Sequence, residues 1–296
     1  MLEELYGNGY MLVRMDDLVS VVTDDDGKTT YEPKTLYLPA GKKPLMITET
    51  NVNYYTYTTD SDGDLRPDKG GAGFASRMIV DENGQITCEM VDANGNTVTG
   101  AFDLVPILNA FIETHPDFSF RGAKATLAVS GYDGILGYRT NPGAKDTLGE
   151  AAWKNEIEGA KQIVSALRAD GYEIACYTYR NVSYADRGAP EIQADLNSWI
   201  NEVEPILGEV DTLVFAQLGD ISDNAPYSGS KFNVLQNAGF RYYLGFTSGN
   251  NQAWASMPGN YVRMARLMVT GENLIKNPGY FSGLLNPAEV LDTGRS

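Results

Sequence analysis

The chain has 296 residues, enough for one large α/β domain or two smaller ones with a substantial core. Its 39 acidic residues against 23 basic give a formal charge of −16, which disfavours phosphate-rich partners and removes nucleic acid from the expected ligands. No run approaches the roughly 18 apolar residues of a membrane span, and two cysteines with one histidine are too few for a disulfide framework or a multi-histidine metal centre.

The first residues, LEELYGNGY, read as a short helix begun in its middle, with no basic-then-apolar leader, so an export signal is expected to have been trimmed or never present. MLVRMDDLVSVV follows as an apolar segment. DDDGK (24–28) is a hairpin turn, from which Thr29 to Leu38 returns as a strand. Pro44 to Tyr55, PLMITETNVNYY, is the stretch around which the rest is organised. Leu45, Met46 and Ile47 read as a buried parallel strand that delivers Thr48, Glu49, Thr50 and Asn51 to its carboxyl end, where α/β folds place their chemistry.

The acidic loop beyond Tyr57 carries Asp60, Asp62, Asp64 and Asp68 at spacings resembling a calcium loop. The turn glycine of such a loop is replaced by Leu65 and its bidentate glutamate by Gly71, so a mobile acidic loop is expected rather than a calcium site. DENG (81–84) and DANG (92–95) mark a small antiparallel β excursion over about 57–100. Leu104, Ile107, Leu108, Phe111 and Ile112 form one face of a helix over Asp103–Glu113, which has Pro106 in its first turn and stops at His115-Pro116. Ala123–Ser130 is the next strand, and the glycine-rich GYDGILGYRT follows it. Helix then alternates with strand: Ala151–Asp170, Tyr172–Tyr177, Glu191–Ile206, Thr212–Gln217, Lys231–Ala238, Phe240–Phe246 and a late strand over Arg263–Thr270. Cys88 and Cys176 are expected to be buried thiols. This alternation is the pattern of a parallel α/β sheet or barrel.

GKKPLMITETNVNYY, HPDFSFRGAKATLAVSGYDGILGYRT and LRADGYEIACYTYRN, in this order, resemble polysaccharide deacetylases of the NodB-homology type, carbohydrate esterase family 4, and most closely a branch found in gut Firmicutes. The resemblance spans about Leu2 to Asn273. It implies a distorted (β/α) barrel with a small antiparallel β insertion, a single domain over 1–296, and a cell-surface or extracellular setting. Members of the family remove N-acetyl groups from cell-wall or chitin-like glycans with a divalent metal, which acts as Lewis acid and source of hydroxide. The family's general base falls on Thr50 in this chain, its metal-binding aspartate on Asn51, and its two histidines on Tyr177 and Asn181. FAQLGD has Gln217 where the family places a proline. None of the four metal and base positions retains the family's residue, so no metal or other cofactor is expected.

What the resemblance leaves is a cleft of sugar-gripping residue types: Asn53, Tyr54, Arg139, Tyr177, Tyr179, Asn181, Asp220 and Trp254. Each has a plainer reading, Arg139 as the partner of an acid, Tyr179 as core and Trp254 as an anchor for its loop. Three functions compete: a deacetylase-like glycan binder without the ancestral chemistry; a hydrolase rebuilt around Glu49 or Asp220; and a domain that presents the β excursion to a protein. Glu49 separates the first two, because in a strand it points away from the face that Thr50 occupies.

Overall fold

The computed structural model describes residues 1–222, 226–246 and 253–292. Strand β1 (Tyr10–Leu12) leads to the hairpin of β2 (Val19–Thr23) and β3 (Thr29–Pro33), and then to β4 (Lys43–Leu45), which pairs in parallel with β1. The hairpin forms where DDDGK predicts it. Asp24 Oδ1 accepts from the backbone N–H groups of Asp26 and Lys28, and Gly27 takes the positive φ that the turn requires. The returning strand is shorter than predicted and stops at Pro33.

The apolar run 45–47, expected as one buried strand, is divided between two sheets. The Leu45 carbonyl accepts from Val13 N–H on the β1 side, whereas the Ile47 carbonyl accepts from Thr126 N–H. Only β5 (Thr48–Thr50) enters the main sheet. The partners on either side of Met46 are remote in sequence, so the break leaves no local signal.

The β excursion is a three-stranded antiparallel meander of β6 (Ala75–Val80), β7 (Ile86–Val91) and β8 (Thr97–Gly100). Asp81 and Asp92 close its two turns by accepting from backbone N–H groups two and four residues on. Met78 and Cys88 face each other in register and are fully buried. Residues 57–74, included in the predicted excursion, form instead one helical turn at Thr56–Thr59, the acidic loop and a short 3-10 turn.

After the Leu104–Thr114 helix, capped by Asp103 Oδ1 on the Leu104 N–H, the chain supplies the rest of the main sheet. The strands are β9 (Thr126–Val129), β10 (Glu173–Cys176), β11 (Thr212–Val214), β12 (Tyr242–Phe246), β13 (Trp254–Ser256) and β14 (Val262–Arg266). Their order is β13-β14-β12-β11-β10-β9-β5, with every pairing parallel except β13 on β14. The result is a mixed α/β fold with a curled seven-stranded half-barrel. The expected barrel does not close among the described residues, because β5 and β13 remain edges.

Alternation along the strands gives this sheet two apolar faces, as a sheet covered on both sides requires. Leu127, Ile174, Cys176, Leu213, Phe215 and Tyr243 face a core shared with Leu108, Ile163, Leu167, Ile192, Leu196 and Trp199 of the helices. Ala128, Ala175, Tyr177, Val214, Leu244 and Val262 line the other, concave side. At its amino end that side is plugged by Met15, Val19 and Tyr31, the last against Tyr242 with ring centroids 5.5 Å apart. The predicted 191–206 helix is an α-helix (Ala189–Ser198), a π turn (Trp199–Val203) and a further helical turn. The π turn coincides with the seating of Trp199 and Val203 in the core. No helix among the described residues is long and apolar enough to cross a membrane.

Candidate functional site

Because six strands run in parallel, the carboxyl ends of β5, β9, β10, β11, β12 and β14 all lie at one end of the sheet. Thr50 lies opposite Ala128 and shares its concave face. The backbone then bends at Asn51, which takes a φ of 68° and donates its N–H to the Ala128 carbonyl at 2.9 Å. Asn51 Oδ1 accepts from the Tyr55 hydroxyl, and that hydroxyl also meets Ser130 Oγ at 2.7 Å. Tyr55 is thereby pinned across the β5–β9 seam. Its ring stacks on Tyr57 and on Tyr132, both with centroids 5.2 Å away. Tyr55 is buried while Tyr57 is 71% exposed and Tyr132 37% exposed, so the stack offers aromatic surface to solvent. Burial pushes the Tyr55 and Tyr132 phenols above their usual range, keeping both neutral.

Three residues predicted to touch ligand use their polar groups internally. Asn53 is fully buried, its Nδ2 donating to the Ser130 and Gly134 carbonyls and its Oδ1 accepting from Ser130 N–H. Tyr54 donates its hydroxyl to Asp103 Oδ2 at 2.5 Å. Arg139 donates to the Asp133 carbonyl and carboxylate and to the Tyr54 carbonyl. Together they fix the 131–139 loop that carries Tyr132.

Beyond β10, Tyr177 lies on the concave face and Asn181 Oδ1 accepts from Gln217 Nε2 at 3.1 Å, joining the ends of β10 and β11. Tyr179 faces the helices instead, where its hydroxyl donates to Glu202. Asp220 accepts from the Tyr227 hydroxyl at 2.7 and 2.8 Å and from Arg263 Nη2 at 2.9 Å. Burial raises the Asp220 pKa, and the Tyr227 hydrogen bond and the Arg263 charge oppose it. The Arg263 guanidinium lies 4.4 Å from the Tyr227 ring centre and 5.2 Å from that of Trp254, which is 36% exposed.

Glu49 is opposite Leu127 and therefore on the helix-facing side. It is neither exposed nor beside Asn51. Burial pushes its carboxyl up to about 9, with the hydrogen bond and negative field of Asp103 adding to the effect, and its Oε2 is buried without a partner. An unfolded glutamate titrates near ~4.3. Between that value and about 9 the folded state holds a proton that the unfolded state has lost, so this group makes stability fall as pH rises through the window. Glu49→Gln should remove that slope and stabilise the protein by on the order of 2 kcal/mol at pH 8. Urea denaturation at pH 5, 7 and 8.5 checks it, and an unchanged slope in the variant would sink the assignment.

The strand ends thus gather neutral donors and acceptors: Thr50, Asn51, Ser130, Tyr177, Asn181 and Gln217. They do not fit a divalent metal. Two of the amide oxygens already accept hydrogen bonds, and no carboxylate or imidazole stands among the six. The carboxylate triplet found among the described residues is Asp60, Asp62 and Asp64, in the acidic loop, with oxygens within 4.8 Å of one another. These carboxylates accept from their own loop's backbone, and Leu65 takes the positive φ that a turn glycine would. A concavity lined by Lys28, Tyr31, Gln236, Arg241 and Asn260 lies at the opposite, amino end of the sheet, away from all of these groups.

The tyrosine stack was missed in the sequence, although Tyr55 and Tyr57 sit two apart in NYYTY and Tyr132 opens the glycine-rich loop.

No family model matches the chain, and no curated protein matches it in sequence. Among solved structures it is similar to a Mycobacterium smegmatis protein provisionally described as a polysaccharide deacetylase, at 13% identity and a TM-score of 0.34, covering 56% of this chain and 46% of that one. It is also similar to a 4-alpha-glucanotransferase from Thermococcus litoralis (9% identity, TM-score 0.33, 58% and 25% covered). A third similar structure is Puue allantoinase (12% identity, TM-score 0.31, 60% and 50% covered). The chain spans half or less of each of these proteins. Likeness at this level establishes neither a common family nor a shared activity.

Proposed function

We propose that the protein binds a cell-wall or chitin-like glycan at the carboxyl end of its half-barrel, without the metal-dependent N-deacetylation that its sequence resemblance suggests for the ancestral fold. The observation that carries this reading is the stack of Tyr57, Tyr55 and Tyr132, held by Asn51 and Ser130. Pyranose rings have apolar faces that pack on aromatic ones, and adjacent amides and hydroxyls then select among the ring substituents. The donor set supports the second half of the reading, since it lacks both a base and the ligands for a dication. Neither Glu49 nor Asp220 favours a rebuilt hydrolase, the first lying under a helix and the second tied to Arg263 and Tyr227.

Calorimetry with chitooligosaccharides and soluble peptidoglycan fragments tests the proposal. Tyr57→Ala should weaken binding about tenfold, as loss of one aromatic platform does, and leave the thermal midpoint unchanged because the ring is exposed. Undiminished affinity in the variant, or no binding at millimolar glycan, would overturn the reading. So would acetate release that depends on added zinc, manganese or cobalt.

A further inference from the structure

One basic group on the concave face has no acid to pair with among the described residues. Arg266 ends β14 and alternates with Val262 and Met264, so it shares their face, in register with Phe246. Its guanidinium carbon lies 4.4 Å from the Phe246 ring centre, and its Nε donates to the Gly245 carbonyl at 3.3 Å. Nη2 is buried and meets no hydrogen-bond partner. The contrast with three other arginines is plain: Arg77 is paired with Glu156, Arg139 with Asp133 and Arg263 with Asp220. Among the described residues no carboxylate reaches Arg266. Burial lowers its pKa to about 10, which leaves the side chain cationic at neutral pH.

A planar guanidinium that is half-buried and unpaired with any acid among the described residues, on a strand end beside hydroxyl and amide groups, suits an oxyanion supplied from outside. The charge of −16 favours a ligand bearing single, spaced negative charges over a phosphate-dense one. We propose that the half-buried Arg266 guanidinium anchors a carboxylate of the bound glycan through its accessible edge, so that the preferred ligand is an acidic sugar, either a uronic acid or a sugar bearing a carboxyalkyl ether. This rests on the glycan reading above and narrows it.

The test compares chitotetraose with a tetrasaccharide alternating glucuronic acid and N-acetylglucosamine, and adds N-acetylmuramic acid to separate the two carboxylate sources. The acidic tetrasaccharide or N-acetylmuramic acid should bind the unaltered protein at least tenfold tighter than its neutral counterpart, chitotetraose or N-acetylglucosamine. Arg266→Gln should abolish the preference, with Arg266→Lys retaining part of it. Equal affinity for acidic and neutral sugars would overturn the role of Arg266 and leave the glycan reading intact. Glucuronate alone, followed through the side-chain Nε–H resonance of Arg266, gives a readout that needs neither an extended glycan nor a stable variant. A shift of that resonance without tetrasaccharide binding would uphold the anchor and sink the glycan reading; no shift and no binding would sink both. Tighter binding of inorganic phosphate than of glucuronate would overturn the carboxylate assignment.

Discussion

Replacing Asp195 by Ala is expected to destabilise the protein by about 4 kcal/mol and to remove glycan affinity with it. Asp195 projects from the Ala189–Ser198 helix and is 4% exposed. Its Oδ2 accepts from Tyr179 N–H at 2.8 Å and from the Tyr184 hydroxyl at 2.7 Å, while Oδ1 accepts from Arg180 N–H at 3.1 Å. The substitution leaves these donors without their acceptor, each unsatisfied buried donor costing about 1–3 kcal/mol, with partial relaxation keeping the total below the sum. The effect then reaches the ligand end. The Tyr179 carbonyl accepts from Gly131 and Tyr132 N–H, so movement of Tyr179 displaces one member of the tyrosine stack. Urea denaturation with an unchanged m-value measures the loss. A change under 1 kcal/mol would show that the helix does not hold the 177–184 segment in place.

Asn53→Ala should cost about 3 kcal/mol for a related reason. Its side chain makes three hydrogen bonds to the backbone of the 130–134 turn, in a place with no access for replacement water. The turn cannot move far to compensate. Gly134 has a φ of 89°, and a Cβ there would come 2.0 Å from the Tyr138 carbonyl oxygen; Gly137 is similarly closed in by Ser76 and Arg77. Asn53→Asp is the sharper companion, because it keeps the shape but sets an oxygen against two carbonyl oxygens. It should be at least as damaging as the alanine. Equal stability of Asn53→Asp and the parent protein would mean that the Asn53 amide does not donate to the Ser130 and Gly134 carbonyls.

Local chemistry was legible in the sequence wherever a turn or cap decides the structure. The hairpin at 24–28 and the meander turns at 81–84 and 92–95 each rest on one aspartate accepting from N–H groups two and four residues on. The parallel strands and their helices were legible from apolar runs. The break inside 45–47 was not, because remote partners bind its two ends, and neither was the open edge of the sheet. At the site, residue type alone could not tell a side chain aimed at ligand from one used to hold a loop. Asn53, Tyr54 and Arg139 have the right chemistry for sugar, and the fold directs their polar atoms to Ser130, Gly134, Asp103 and Asp133. Arg266 had no signal either, since whether an arginine meets a counter-ion among the described residues is a property of packing.

The short edge strand β5 has a consequence for how ligand and fold support each other. It joins the sheet only through β9, across a long intervening stretch that includes the meander and the Leu104–Thr114 helix, so its docking closes the largest loop around the sheet. Tyr57 lies beyond β5 and Tyr132 beyond β9, on the two sides of that seam, with Tyr55 between them. A sugar chain resting on both outer rings would therefore act as a clasp across the β5–β9 seam, its binding free energy adding to the stability of the sheet's edge strand.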